Sequence, residues 1–148
     1  MNPSEQIIVS LIQSQADVDA SRSIREEVFI VEQEVPAEIE YDEYEQTSTH
    51  ILARSNDIAV GTARWRKTDQ GQKLERFAVL KSARGLGVGA ALVTFILDRL
   101  ESTETAYLNS QVSAIEFYAK FGFKETGGIF YEAGIPHRKM VLMGKTKI

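Results

Sequence analysis

Apolar positions recur along the chain with two periods, and the changes between them divide it into elements. "IIVSLI", residues 7–12, is a short apolar run that predicts a strand. Over residues 17–33, Ala20, Ile24, Val28 and Val31 return at helical spacing and predict an amphipathic helix. The acidic stretch "EQEVPAEIEYDEYEQ" breaks that period around its proline and reads as a loop or a short helix. "HILARS" and "IAVGTARWRK" then read as two strands joined by a turn at Ser55, Asn56 and Asp57, and "KLERFAVL" is a third. Val88, Leu92, Phe95, Ile96 and Leu100 mark the buried face of a second long helix. "TAYLNS" is strand-like, "SAIEFYAKFGF" is a helix ending near Gly122, and "FKETGGIFYEAGIPHRKMVLMGK" supplies one or two closing strands.

An antiparallel run followed by a strand–helix–strand crossover predicts a mixed sheet covered by helices, an α/β (α+β) fold. No repeat, low-complexity tract or Pro/Gly/Ser linker divides the chain, so one domain over residues 1–148 is expected.

Composition narrows the chemistry. Seventeen basic against twenty-one acidic side chains give a net charge of −4, a poor basis for gripping nucleic acid through many phosphates. The chain has no cysteine, which excludes disulfides, thiolate nucleophiles and thiolate metal sites. With only His50 and His137, a histidine-rich metal site is excluded too, and no metal is expected. The N-terminus has no basic region, and "IIVSLI" is too short for a signal-peptide core or a membrane span. A cytoplasmic protein with no membrane partner is the expectation.

The stretch "RGLGVG", residues 84–89, stands between a strand and a helix. Interior glycines cost a helix on the order of 1 kcal/mol each against alanine, so something must compensate for them. Backbone N–H groups at a helix start, without Cβ atoms in the way, can close on an anion, and Arg84 adds a forked donor. The competing reading is a glycine-rich turn that merely starts a helix. A P-loop would need Gly-Lys-Ser/Thr, but Gly89 is followed by two alanines. The dinucleotide fingerprint needs G-x-G-x-x-G, but Gly85, Gly87 and Gly89 fall at G-x-G-x-G.

Arg84-Gly85-Leu86-Gly87-Val88-Gly89 resembles the R/Q-x-x-G-x-G/A motif of the GNAT superfamily of acetyl-CoA-dependent N-acetyltransferases, with Arg84, Gly87 and Gly89 at the matching positions. "ERFAVL" stands in front as the family's strand, and "SAIEFYAKFGF" follows as its A-x-x-x-Y-x-x-x-G-F helix. "IREEVFIVEQEVP" and "EAGIPHRKM" resemble a small bacterial branch of these proteins, and the resemblance runs over roughly residues 7–145. It implies a single GNAT domain: a largely antiparallel sheet of six to seven strands, about four helices, and a V-shaped splay between the fourth and fifth strands.

The resemblance also implies site roles. The backbone of Phe77, Ala78 and Val79 would pair with the pantetheine arm, although the same residues also read as a core strand. Arg84, Gly85, Leu86, Gly87, Val88, Gly89 and Ala90 would wrap the pyrophosphate. Gln111 stands where many family members carry an asparagine that bonds the arm, and a plain turn residue is the other reading. Ala114 and Phe117 would line the cofactor. Tyr118 would protonate the departing CoA thiolate, unless its stripe with Ala114, Phe117 and Phe121 is only core.

A lysine-like amine is mostly protonated at pH 7, so direct attack on a thioester needs a base. Glu75 is the first candidate, being two residues before Phe77 on one strand face, or else an edge carboxylate paired with Arg64, Arg66 or Arg76. His137 is the runner-up and His50 the weaker option. Glu32, Glu34, Glu38, Glu40, Asp42, Glu43 and Glu45 would form a negative rim for a cationic amine, or simply a solvated face. The expected activity is acetyl transfer from acetyl-CoA to a primary amine, small or lysine-like, in a ternary complex, with coenzyme A as product. The alternative is a non-catalytic acyl-CoA-binding module of the same fold. The family's habit of pairing through late strands allows a homodimer.

Overall fold

Four extended runs are separated by three helical regions, much as the apolar periods predict. The computed structural model describes residues 6–143, so Gly144 and Lys145 of the closing segment lie outside the described residues. In chain order the first half holds β1 (Ile7–Leu11), α1 (Gln15–Arg25), a π-helical stretch (Glu26–Glu32), α2 (Ala37–Glu40), β2 (Thr49–Ser55) and β3 (Ile58–Thr68). The second half holds β4 (Gly71–Val79), α3 (Val88–Arg99), β5 (Ala106–Gln111), α4 (Ile115–Ala119), β6 (Lys124–Glu132) and β7 (Ile135–Leu142). The strands form a seven-stranded sheet in the order β1-β2-β3-β4-β5-β7-β6. β1 runs antiparallel to β2, and β7 runs antiparallel to both β5 and β6. β4 and β5 are parallel, in register at Gln72↔Ala106 and Lys73↔Tyr107, near the start of both strands.

Among the described residues the chain divides into two compact units, one holding the residues up to Arg64 with Arg76–Arg99, the other Trp65–Glu75 with the residues from Leu100 onward. In the first unit, α1 starts where Ser14 Oγ accepts from the Asp17 N–H at 3.1 Å, an N-cap that satisfies one orphan donor of the first turn. The helix does not stop at Arg25. It loosens into π-type bonding, with the Gln33 N–H reaching the Val28 carbonyl at 3.1 Å. The longer turn explains one departure from the periodicity: Val31, predicted on the buried stripe, is 64% exposed, while Ile24 and Val28 are buried. A turn of more than 3.6 residues carries the inward face past Val31.

Ile24, Val28, Leu52 and Ala78 make a core cluster, with Ile12, Ala20, Phe29, Ala59 and Leu80 packed against it. Helix α3 buries Val88, Leu92, Val93 and Ile96. It approaches β3 at Gly61, where a Cβ would stand 2.6 Å from Val88 Cγ1 and 3.3 Å from the Ala78 carbonyl oxygen. The absent side chain at residue 61 therefore sets how near the start of α3 lies to the sheet.

In the second unit, β7 is the shared partner. It pairs with β5 from Ala106↔Leu142 to Gln111↔His137, and with β6 through a register shift between Thr126 and Phe130. Phe123 and Met140 are buried, and the Tyr107 hydroxyl lies 2.7 Å from Thr68 Oγ1. Helix α4 is short, and in the turn after it the Gly122 N–H donates to the Ala119 carbonyl at 3.0 Å with φ of +97°, which suits a residue without Cβ.

Gly61→Ala is expected to lower stability by about 1–3 kcal/mol, the usual cost of overpacking, because β-branched Val88 has little freedom to move aside. A urea midpoint unchanged from wild type would show that α3 can shift freely.

Candidate active site

The glycine loop lies wholly within the first unit. β4 ends at Val79, a short turn over Lys81–Ala83 follows, and residues 84–87 are exposed before Val88 turns inward as the first residue of α3. Gly85 and Gly87 hold φ of +83° and +88°, and a Cβ at either would meet nothing within 4 Å. The glycines are thus needed for backbone conformation, and the space beside them is open. The first intrahelical bond of α3 runs from the Ala91 N–H to the Gly87 carbonyl at 3.0 Å, so the amides before residue 91 form its donor-rich end. Gly89 and Ala90 are in the first turn and Leu86 is 52% exposed.

The Arg84 side chain is already engaged. Its Nε donates to the Val79 carbonyl at 3.1 Å, while its two terminal nitrogens donate to Glu32 Oε2 at 2.7 Å and Oε1 at 2.6 Å. This fork-to-fork pairing is the geometry a guanidinium offers to carboxylate and phosphate alike. The hydrogen bonds from Arg84 hold the Glu32 carboxyl below its usual range and raise the guanidinium in turn. Upstream, Phe77 and Val79 are half-buried on either side of buried Ala78.

The second unit holds the other expected residues. Gln111 and His137 are direct cross-strand partners. The His137 Nδ1 lies 2.7 Å from the Ile135 carbonyl, which can only accept, so Nδ1 carries a proton. Nε2 stands 3.6 Å from Glu132 Oε1, and the ring stacks on Phe130 with centroids 5.9 Å apart. Phe117 meets Tyr118 edge-on at 5.0 Å, and Tyr118 meets Phe123 at 6.3 Å. Tyr118 is buried, and burial pushes its phenol above the ordinary value. Ala114 and Phe117 are half-buried beside it in sequence.

Glu75 lies between two cations, Arg66 Nε at 2.9 Å and Lys73 Nζ at 3.2 Å. His50 Nε2 lies 2.7 Å from the Glu45 carbonyl, and burial lowers its pKa, as suits a neutral structural ring.

Sequence reasoning missed a network of opposite charges under the acidic segment. Arg25 Nε donates to Glu40 Oε2 at 2.6 Å, and its terminal nitrogens reach both oxygens of Glu45 at 2.7 Å. Arg64 bridges Asp42 at 2.7 Å and Glu45 at 2.6 Å. Arg76 reaches Glu40 and Asp42, each at 3.2 Å. Arg25, Glu40 and Arg64 are all buried. Of the expected negative rim, Glu40, Asp42 and Glu45 are engaged by arginines, while Glu32, Glu34, Glu38 and Glu43 remain exposed. One signal could have revealed this: Arg25 follows Ser21 and precedes Phe29 at four-residue steps, on the inward side of the helix.

Burial opposes ionisation at Asp42 and Glu45, yet the arginines outweigh it and hold both carboxyls below their usual range. At Glu40 burial wins over Arg25 and Arg76 and raises the carboxyl.

The profile described as the acetyltransferase (GNAT) domain matches residues 10–143, spanning both units. The chain belongs to the GNAT acetyltransferase family. It is 43% identical over 122 residues to the uncharacterised N-acetyltransferase YjcF of Bacillus subtilis (strain 168), covering 80% of this chain and 86% of that one. The crystal structure of Escherichia coli ElaA superposes with a TM-score of 0.79 at 28% identity, over 92% of this chain and 99% of that one. A GNAT acetyltransferase from Elizabethkingia anophelis, solved with acetyl-CoA bound, shares the fold at a TM-score of 0.64 and 15% identity, over 91% and 94% of the two chains.

The charge network predicts acid sensitivity of definite sign. Asp42 and Glu45, with depressed values, contribute stability above the ordinary carboxylate pKa of ~4 that is lost as pH falls through their folded values. Glu40, with a raised value, works in the opposite sense just above ~4, and alone it would make folding more favourable as pH falls there. With two groups against one, the urea midpoint is expected to fall as pH drops below ~4, and Asp42→Asn should flatten that slope. A midpoint that rises on acidification would contradict the network's sign.

Proposed function

We propose that this GNAT protein transfers acetyl from acetyl-CoA to a primary amine of a small molecule by direct attack in a ternary complex. The observation that carries the reading is the exposed, donor-rich start of α3, with left-handed Gly85 and Gly87 opening space beside it. A diphosphate suits that place because several amides point outward together and no Cβ obstructs approach. Acetyl-CoA, when bound, supplies an activated acyl group as a thioester.

The chain's own residues then divide the work. Amides of Gly85, Leu86, Gly87, Val88, Gly89 and Ala90 hold the diphosphate. Arg84 adds its charge, but only to the extent that its fork lets go of Glu32, so the loop amides are the primary grip. Phe77, Ala78 and Val79 present their backbone edge to the pantetheine amides, in the manner of one strand to another. Gln111 supports the arm from its place opposite His137, and Ala114 and Phe117 line it. A backbone amide of β4 steadies negative charge at the acyl oxygen.

Tyr118 holds a proton at Oη for the departing thiolate. Its raised value keeps that proton in place at neutral pH, which suits a donor and would disqualify a base. For the base we assign His137, whose Nδ1 is anchored on the Ile135 carbonyl and whose Nε2 is the ring nitrogen left to exchange a proton. Glu75 is paired with Arg66 and Lys73, and its alternative role is to fix those cations. The non-catalytic acyl-CoA-binding reading draws its support from that pairing of Glu75, since the first-choice base is already engaged. We infer a cytoplasmic setting from the same cosubstrate chemistry, and all the steps are assigned to one domain.

Tyr118→Phe keeps the ring and removes the proton. Coenzyme A release from acetyl-CoA, followed with a thiol reagent against a polyamine, an amino sugar and a lysine peptide, is expected to fall about 10²-fold. Calorimetric affinity for coenzyme A should stay within about twofold, since the grip lies elsewhere. Wild-type protein that binds acetyl-CoA but releases no coenzyme A with any amine would favour the non-catalytic module.

A further inference from the structure

Arg76 sits inside β4, yet its φ is +60°. A non-glycine residue in the left-handed region in mid-strand is an outlier that the surroundings must hold in place. Here the surroundings are explicit. Its Nε lies 3.3 Å from the Glu40 carbonyl and one terminal nitrogen 3.2 Å from the Ile39 carbonyl. The same guanidinium is paired with Glu40 Oε1 and Asp42 Oδ2, both at 3.2 Å. Four acceptors from one short segment, α2 and the residues after it, converge on this side chain, and Glu40 is itself buried and tied to Arg25. A left-handed residue turns the backbone locally, and the run that follows it directly is Phe77, Ala78 and Val79. The parallel register with β5 lies before this point, at Gln72 and Lys73.

We propose that Arg76 is a positioning residue: its guanidinium, clamped by the segment Ile39 to Asp42, holds residue 76 left-handed and so aims the β4 backbone edge at the pantetheine and thioester. The inference rests on the function proposed above and deepens it. The clamp also joins the acidic segment to the strand edge, so a disturbance of α2 reaches the donor-binding backbone without touching the donor.

The test separates backbone conformation from lost ion pairs. Arg76→Ala, Arg76→Gly and Arg76→Asn all remove the guanidinium, but glycine and asparagine adopt the left-handed region far more readily than alanine. Two probes are titrated by calorimetry: acetyl-CoA, which would engage loop and strand edge, and 3′-phosphoadenosine 5′-diphosphate, which would engage the loop alone. Arg76→Ala is expected to weaken acetyl-CoA by roughly five- to thirty-fold, the range set by the left-handed penalty, with the nucleotide probe within about twofold of wild type. Arg76→Gly and Arg76→Asn should recover most of the loss. Folding of the glycine variant but not of the alanine variant, with acetyl-CoA bound by the former, supports the proposal equally. Equal losses in all three variants, a parallel loss of both probes, or a glycine variant that fails to fold along with alanine overturns it. Wild-type protein that binds neither probe would instead remove the function on which it rests.

Discussion

The interaction on which the first unit turns is the meeting of three arginines with three carboxylates beneath the acidic segment. Arg25 comes from the end of α1, Arg64 from β3 and Arg76 from β4, while Glu40, Asp42 and Glu45 come from one short stretch. Burying charges is costly, and removing one partner from such a set typically costs about 3–5 kcal/mol because the remaining charge is left unpaired. That asymmetry explains why the set is complete: each buried member has its partners, and no buried side-chain nitrogen or oxygen among the described residues lacks a hydrogen-bond partner. Apolar side chains could fill the same volume. They could not fix the segment's direction, because hydrophobic contact is not directional, whereas the guanidinium forks meet their carboxylates and carbonyls in defined geometry.

What the network holds in place is backbone. β4 carries a left-handed arginine just before the residues that would receive the donor's arm, and the loop beyond it opens onto the start of α3 through left-handed Gly85 and Gly87. Helix α3 is set at its distance by the missing side chain of Gly61. Unusual backbone therefore occurs at consecutive stations along one stretch, and each has a separate local cause. Arg76 is held by ion pairs, the loop glycines by their own freedom, and α3 by close packing. The exposed Glu32–Arg84 fork is a different kind of contact. Such surface pairs contribute little to stability, roughly 0–1 kcal/mol, so this one can open to admit a competing anion.

Much of this was legible in the sequence because it depends on period and on glycine. The strand and helix order and the start of α3 follow from alternation and helical spacing, the closing segment was open between one strand and two, and "RGLGVG" announces its own backbone. Three things were not legible. Val31 fell off the buried stripe because the π-helical stretch changes the period locally, and nothing in "EEVFIVE" marks that change. The left-handed conformation of Arg76 was hidden as well, because its cause is the distant segment Ile39 to Asp42 and not a preference of arginine. The acidic segment looked like a solvated or recruiting face because its partners are distant in sequence: Arg64 is 22 residues from Asp42 and Arg76 is 36 from Glu40. The family motif supplied the loop's chemistry and alternation offered Arg66 as a partner of Glu75, whereas the added contact from Lys73 and the cross-strand meeting of Gln111 with His137 needed three dimensions.

Amide hydrogen exchange with and without coenzyme A addresses the central claim most directly, since the claim concerns backbone N–H groups. Slowed exchange is expected across residues 85–90 and 77–79 when coenzyme A is added, with the loop amides protected by pyrophosphate alone to a lesser degree. Exchange at residues 85–90 unchanged under saturating coenzyme A would contradict a diphosphate grip at the start of α3.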